Sequence, residues 1–204
     1  EIVVLGTHEN ESGLNLYNAT GMMALKMLFD SGFSIYNDNI LIIGECPTVN
    51  FISSVFQDNM LQFDLVDISE NNQKFVYDNI EKYDVIIVAE HIKQDLIIGI
   101  DGFIDILYLK DKNPNIVINH IFGNIDKNTI VKNELIIYPK DIASYGYMSY
   151  SLDDIDSRGV IELVQAGLKV AEVISKNRKV MDYKNTIIES QKSNKLVMGF
   201  QYEL

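Results

Sequence analysis

The chain has 204 residues, 47% of them hydrophobic and 23% charged, so it can bury one good core and is neither a disordered tail nor a disulfide mini-protein. Its 17 basic and 29 acidic residues give a formal net charge of −12, which disfavours nucleic acid and anionic membrane surfaces as partners. The single cysteine, Cys46, has no partner for an internal disulfide, and no apolar run reaches the roughly 20 residues of a membrane helix. We therefore expect a cytoplasmic protein that acts on a small molecule.

Short β-branched runs alternate with helical patterns along most of the chain, which predicts a parallel sheet with crossover helices. The interior runs are continuously apolar, as expected for strands that are covered on both faces. Strands are predicted at residues 2–5, 39–43, 62–66, 84–89, 115–119 and 134–138, with an edge strand at 196–198. Apolar stripes predict helices around residues 22–29 and 159–175, and the apolar surface of the second helix and of the edge strand favours a homodimer.

The most informative segment is a buried strand that ends at a glycine and leads into an amphipathic helix. Gly44 follows the strand at 39–43, where the turn of a phosphate-binding strand-turn-helix unit begins. Cys46 and Val49 stand where that unit has its second and third glycines, so the turn is degenerate. Few basic residues lie near it, and we expect backbone N–H groups and the helix end to hold a phosphate. The predicted cofactor contacts in this turn are Gly44, Glu45, Cys46, Pro47, Thr48 and Val49.

A carboxylate stands at the end of the next predicted strand. Asp67 lies 23 positions after Gly44, where it can accept hydrogen bonds from an adenosine ribose and repel a 2′-phosphate. This placement favours NAD over NADP as the cofactor. The other interpretation is that Asp67 caps the turn that follows it. Further cofactor contacts are predicted at Ile68, Ala89, Glu90 and Asn119.

The turn and the acid are also similar to the cofactor loop and ribose acid of S-adenosylmethionine-dependent methyltransferases. The interval from Asp67 to Asp84 is 17 residues, which is room for one short helix. Methyltransferases usually fit another helix-strand unit there, whereas dehydrogenase-type domains often run directly to the next strand. An extra strand in this interval would favour methyl transfer.

The order of these segments resembles the NAD-binding portion of S-adenosylhomocysteine hydrolase, shikimate dehydrogenase and 2-hydroxyacid dehydrogenase relatives. The resemblance covers about residues 13 to 130 and rests on architecture more than on identities; besides Asp67, it is carried by segments 15–21, 39–44, 83–91 and 116–126. In those families a linker helix joins a preceding substrate domain to the cofactor domain, and the substrate lies between them. The lysine and aspartate that act in the hydrolase have no counterpart here, so its reaction is not implied.

The resemblance implies an α/β fold, a doubly wound and mostly parallel Rossmann-like sheet with flanking helices from a partial second domain. We assign residues 38–145 to a dinucleotide-binding-like domain and residues 1–37 to the end of a preceding substrate domain with its linker helix. Residues 146–204 form a C-terminal helix and tail. Because the chain starts at Glu1 directly in an apolar strand, we expect further sequence upstream.

All three histidines follow predicted strands, and the carboxyl ends of parallel strands line the ligand crevice of such a sheet. His120, with Asp126 nearby, is our preferred acid or base for hydride chemistry, and His91, which follows Glu90, is the second choice. The polar segment 7–18 provides substrate contacts, predicted at Thr7, His8, Asn15 and Asn18.

We therefore expect an NAD-type oxidoreductase that transfers hydride to or from a small polar metabolite. The degenerate turn favours an alternative, a Rossmann-like binding or scaffold protein without redox chemistry, and a methyltransferase is the third interpretation. His8, Glu9 and Glu11 lack a fourth ligand, so no metal site is expected.

Overall fold

The computed structural model describes residues 5–7, 16–34, 36–178, 183–194 and 197–199. The chain divides into two compact units, residues 20–155 and residues 1–19 with 156–204, and each is considered by itself. The predicted domain boundaries, 38–145, stay a prediction, and the first unit extends beyond them at both ends. It includes most of the preceding helix and the segment up to residue 155, and both contribute buried side chains such as Met27 and Tyr150 to its core.

The elements follow one another in an alternating α/β pattern. In chain order they are β1 (Leu5–Thr7), α1 (Leu16–Asp30), β2 (Asn39–Ile43), α2 (Pro47–Asp58), β3 (Gln62–Val66), α3 (Glu70–Asn79), β4 (Val85–Ala89), β5 (Leu96–Gly99), β6 (Ile104–Asp105), α4 (Ile106–Lys112), β7 (Val117–Phe122), β8 (Asn124–Ile125), α5 (Lys127–Lys132), β9 (Ile136–Tyr138), α6 (Arg158–Asn177), α7 (Tyr183–Ser193) and β10 (Val197–Gly199). Short 3₁₀ turns lie at Ile80–Lys82 and Leu152–Asp154.

A five-stranded parallel sheet forms the centre of the unit 20–155, in the order β3-β2-β4-β7-β9. This order is the shorter of the two common doubly wound arrangements, in which the chain first adds a strand on one side of β2 and then continues on the other side. The point of reversal, between β2 and β4, is the topological switch point of the sheet.

Helices cover both faces of this sheet. Ile40 and Ile42 of β2 point to the face that carries α1 and α2, and pack with residues such as Phe56. Leu41 and Ile43 point to the opposite face, which α3, α4 and α5 cover with residues such as Leu109. Burial on both faces explains why the strand is a continuous apolar run, and the doubly wound fold predicted from that pattern is confirmed.

The strands predicted at 39–43 and 62–66 match β2 and β3 residue for residue, and the one at 84–89 starts one residue late as β4. The strand predicted at 115–119 begins at Val117 and extends to Phe122. Strands β5, β6 and β8 form a small parallel sheet that the sequence pattern did not reveal, because each has only two to four residues. The strand predicted at 2–5 lies outside the described residues except for Leu5.

The interval between β3 and β4 holds α3 and a 3₁₀ turn, and residues 67–84, all described, contain no strand. The chain therefore runs directly from one helix to β4. This is the arrangement of the dehydrogenase-type interpretation, and the extra strand that would favour methyl transfer is not there.

In the unit 1–19 with 156–204, α6 and α7 pack together, and β1 pairs with β10 in an antiparallel two-stranded sheet. The helix α6 buries Ala166, Val170 and Val173 and leaves Val160, Ile161, Val164 and Leu168 exposed. The homodimer predicted from such apolar surface stays a prediction. None of the helices in the described ranges is long and apolar enough to cross a membrane.

Candidate functional site at the switch point

The switch point brings together three turns that carry predicted site residues. Ile43 of β2 pairs with Val66 of β3 on one side and with Val88 of β4 on the other. The residues that follow these strands, Gly44, Asp67 and the turn after Ala89, therefore lie at the same edge. Open α/β sheets bind ligands in the crevice at this place, so we take it as the candidate site.

Gly44 forms the sharp turn out of β2. Its N–H donates to the carbonyl of Val66 at 2.9 Å, and its φ is +153°. A Cβ placed on Gly44 would lie 2.3 Å from the carbonyl oxygen of Ala89 and 3.0 Å from a methyl group of Val49. Glycine is thus required because the turn passes directly against β4, the close approach that the predicted phosphate-binding turn needs.

Glu90 is the central side chain of the site. Its side chain is fully buried, and its carboxylate accepts backbone hydrogen bonds from both sides of the switch point. One oxygen accepts from the N–H of Glu45 at 2.9 Å, and the other from Ile92 at 2.6 Å and Lys93 at 3.0 Å. We call these three backbone N–H groups, of Glu45, Ile92 and Lys93, the amide cluster. Because its carboxylate is engaged with the amide cluster, Glu90 does not orient the ring of His91.

The side chain of Lys93 forms an ion pair beside the amide cluster. The Lys93 ammonium is 2.9 Å from a carboxylate oxygen of Glu45, so the ion pair connects the two turns that supply the amide cluster. Glu45 holds the pKa of Lys93 above its usual range, with smaller contributions from Asp67 and Glu90. Three carboxylates thus act electrostatically on one ammonium group, and Glu45 is the one that pairs with it directly. Lys93 was not predicted as a site residue, although it is the basic residue nearest the end of β4.

Asp67 follows β3 at the predicted position, and its carboxylate is hydrogen-bonded locally. The Asn72 amide donates to it at 2.8 Å, and hydrogen bonds from Ser69 and Asn72 hold its pKa below the usual range. The residue therefore stabilises the turn into α3, the second interpretation given above. It is half-buried, and Ile68 beside it packs against the core below α3. The ribose contact of Asp67 stays a prediction.

The start of α2 is built differently from a glycine-rich turn. Cys46 is the residue before the helix, its thiol donates to the carbonyl of Ala89 at 3.2 Å, and burial raises its pKa. Pro47 begins the helix and is exposed, whereas Thr48 and Val49 are buried. The Cys46 and Val49 side chains are thus turned into the core, which leaves the backbone of this turn as the part that faces the crevice.

His120 lies in β7, next to a bulge where Val88 pairs with His120 but Ala89 pairs with Phe122. Its ring is buried, with Nδ1 2.7 Å from the Ser149 hydroxyl and Nε2 3.0 Å from the carbonyl oxygen of Gly123. Because a carbonyl can only accept, Nε2 carries the proton, and neutral Nδ1 accepts from Ser149. Burial lowers the pKa of His120.

These bonds occupy both ring nitrogens of His120 within the protein. Asp126 does not orient the ring, since its carboxylate caps α5 by accepting from the N–H and hydroxyl of Thr129. Ser149 also accepts from the N–H of Ala143, and its own N–H donates to Ile121, so it fastens the segment after β9 to β7. The catalytic role predicted for His120 stays a prediction, and this geometry suits a structural role.

The remaining predicted site residues lie in three different settings. His91 is exposed, and its ring is nearly perpendicular to that of Phe122, with 5.0 Å between the ring centroids. Asn119 is buried on the α1 side of the sheet, where its amide donates to Ser31 at 2.8 Å while its side-chain oxygen has no partner among the described residues. Thr7 lies in β1 and Asn18 in α1, and His8 and Asn15 are outside the described residues; their substrate contacts stay predictions.

Among the residues that the structure describes, no group of three or more His, Cys, Asp or Glu side chains could hold a metal ion. His8, Glu9 and Glu11, from which no metal site was expected, lie outside that part.

Together, the sheet order and the glycine turn at the switch point define an α/β domain of the Rossmann type. A solved structure agrees at the level of the fold. One subunit of dipicolinate synthase from Bacillus halodurans matches with a TM-score of 0.50 and 10% identity, over 76% of this chain and 54% of that one. The resemblance to Rossmann-type cofactor domains is therefore confirmed for the fold.

Two further structures match more distantly. Shikimate 5-dehydrogenase from Listeria monocytogenes, solved with shikimate and NAD, has a TM-score of 0.35 and 13% identity over 60% of this chain and 51% of its own. Glutamate dehydrogenase from Peptoniphilus asaccharolyticus has a TM-score of 0.39 and 11% identity over 87% of this chain and 50% of its own. The chain spans about half the length of these proteins. No protein-family model matches the chain, and neither does any curated protein.

Proposed function

We propose that the chain binds a nicotinamide-type dinucleotide at the switch point and is the cofactor domain of an oxidoreductase that moves hydride to or from a small polar metabolite. The observation that carries the proposal is the amide cluster. Three backbone N–H groups, drawn from two of the three turns at the switch point, already converge on an anionic group. Such sets of N–H groups are how a domain with few cations binds phosphate.

The residues present fit the parts of such a ligand. The turn 44–49 and the amide cluster would hold the pyrophosphate, and Asp67 would accept from the adenosine ribose, which favours NAD over NADP. The cofactor itself supplies the hydride chemistry. Of the two histidines, exposed His91 has room to exchange a proton with a substrate oxygen, whereas His120 would first have to give up its bond to Ser149.

Calorimetric titration with NADH and NADPH tests the proposal. We expect NADH to bind more tightly than NADPH, and Asp67→Asn to reduce that preference. The matched control is Asp78→Asn, which removes an exposed carboxylate from α3 and should change neither affinity. The proposal fails if NADH at about 5 mM binds neither to the wild-type chain nor to the Glu90 variants described below. S-adenosylmethionine is the comparison ligand for the methyl-transfer alternative.

A second candidate is a binding or scaffold domain without redox chemistry. It is favoured by the buried Cys46 and Val49 in place of glycines, and by Glu90, whose carboxylate satisfies the amide cluster from within the chain. This candidate predicts that no nicotinamide dinucleotide binds to any variant, and that Asp67→Asn changes only local stability. The same titrations therefore separate the two candidates.

A further inference from the structure

We propose that Glu90 is an internal ligand of the phosphate site, so that its carboxylate excludes a dinucleotide until the side chain leaves the amide cluster. This inference rests on the proposed function and adds the residue that regulates it. The position of the Glu90 side chain then determines whether the crevice binds an anion. Neither the glycine turn nor Asp67 has this role.

The first support is the way in which the carboxylate is bound. Both oxygens of Glu90 are used, and the three donors come from two separate turns, one of them at Glu45, which is 45 residues from Glu90 in sequence. Backbone N–H groups bound to a carboxylate make strong, charge-assisted hydrogen bonds. The same donors, at the same edge of the sheet, are those that a phosphate oxygen would need.

The second support is charge. Glu90 makes no direct ion pair among the described residues, since the Lys93 ammonium lies against Glu45 and Glu90 acts on it only as a smaller contribution. A pyrophosphate that entered with Glu90 in place would add its charge to three carboxylates, those of Glu45, Asp67 and Glu90, which already act electrostatically on the one ammonium group of Lys93. Like charges repel more strongly in a partly buried site than in bulk water. Binding of the two anions to the amide cluster is therefore mutually exclusive.

The consequence is a reduced apparent affinity. A ligand that binds only the open form has a dissociation constant raised by the reciprocal of the open fraction. Because three charge-assisted hydrogen bonds hold Glu90 in place, we expect an open fraction on the order of 1% or less. The wild-type chain should then bind NADH and inorganic pyrophosphate only in the millimolar range.

Replacement of Glu90 tests the inference directly. Glu90→Ala removes the internal ligand, and Glu90→Gln keeps its size but removes its charge. Glu81→Gln is the control, since Glu81 is an exposed carboxylate in the 3₁₀ turn at the opposite edge of the sheet. We expect at least about a tenfold gain in affinity for both NADH and inorganic pyrophosphate in Glu90→Ala, a smaller gain in Glu90→Gln and none in Glu81→Gln. Circular dichroism and thermal melting establish that each variant is folded.

The outcomes separate this inference from the proposed function. Equal affinities in wild type and folded Glu90→Ala overturn the inference and leave dinucleotide binding standing. A gain for pyrophosphate without any binding of NADH supports Glu90 as an internal ligand and overturns the dinucleotide proposal. No binding of either ligand to a folded variant overturns both. If neither variant folds, the wild-type chain still decides, because a dissociation constant of about 10 μM or tighter for NADH contradicts an occluded site.

Discussion

Gly44 is a residue whose identity is dictated by one contact. A Cβ at this position would lie 2.3 Å from the Ala89 carbonyl oxygen, which is backbone and cannot rotate away. We expect Gly44→Ala to lower the free energy of unfolding by about 3 kcal/mol, measured by urea denaturation. Gly146→Ala is the control, because Gly146 also has a positive φ but its Cβ would meet nothing within 4 Å. It should cost only about 1 kcal/mol; similar losses in the two variants would refute the contact argument.

His120 should make stability depend on pH. Burial depresses its pKa in the folded chain below the unfolded value of about 6.5. Between those two pKa values the unfolded chain binds more protons than the folded one, so this contribution to stability falls as pH falls below about 6.5. Urea denaturation at pH 7, 6 and 5 measures the effect. The change of the free energy of unfolding with pH should become smaller in His120→Asn and stay the same in His91→Asn, whose ring is exposed. If this pH dependence were the same as in the wild type in both variants, it would contradict a buried neutral His120.

The sequence revealed the site residues whose signals are local. Gly44 and Asp67 were found because each directly follows a recognisable strand, and the structure places both at the switch point. The partners of Glu90 and His120 were not found, because Glu45 is 45 residues from Glu90 and Ser149 is 29 residues from His120. Hydrogen bonds over such separations follow from the tertiary fold and leave no spacing pattern.

At the scale of elements, α6 contains one glycine that its surroundings do not require. A Cβ at Gly167 would meet nothing within 4 Å, and the position is in the interior of a 20-residue helix. We expect Gly167→Ala to raise the free energy of unfolding by about 1 kcal/mol, because alanine has the higher helix propensity. The gain should appear in urea denaturation. Gly21→Ala is the contrasting variant, since its Cβ would lie 2.6 Å from the Phe51 carbonyl oxygen, and it should destabilise the chain. A loss of stability on Gly167→Ala would mean that this glycine has a packing role.

The length of an element decided whether it could be predicted, because a hydrophobic pattern shows only over several residues. Strands β2 and β4 are covered on both faces and read as apolar runs, and α6 has a clear apolar stripe. Strands β6 and β8 have two residues each, and Ile104 and Ile125 alone form no period. The bulge that extends β7 to Phe122 depends on its pairing with β4, which sequence periodicity does not encode.

For the whole molecule, the excess of acid means that an anionic ligand is attracted only at short range. Lysines such as Lys26, Lys82 and Lys93 are paired with Asp30, Asp64 and Glu45. These pairs are partly exposed and contribute little to stability. Because these lysines are already paired, the electrostatic field of a chain of net charge −12 stays unfavourable to anions. A pyrophosphate at the amide cluster would therefore be held by N–H groups against a repulsive background.

This balance predicts the sign of the salt effect on binding. When the ionic strength rises from about 0.01 M to 0.15 M, the Debye length falls from about 30 Å to about 8 Å, which screens the distant carboxylates more than the contacts in the crevice. NADH should thus bind Glu90→Ala about two- to threefold more tightly at the higher salt. Adenosine, which is neutral, serves as the control ligand and should show no change. An affinity for NADH that falls with salt would mean instead that lysine or arginine side chains hold the phosphates, and that the amide cluster is not the site.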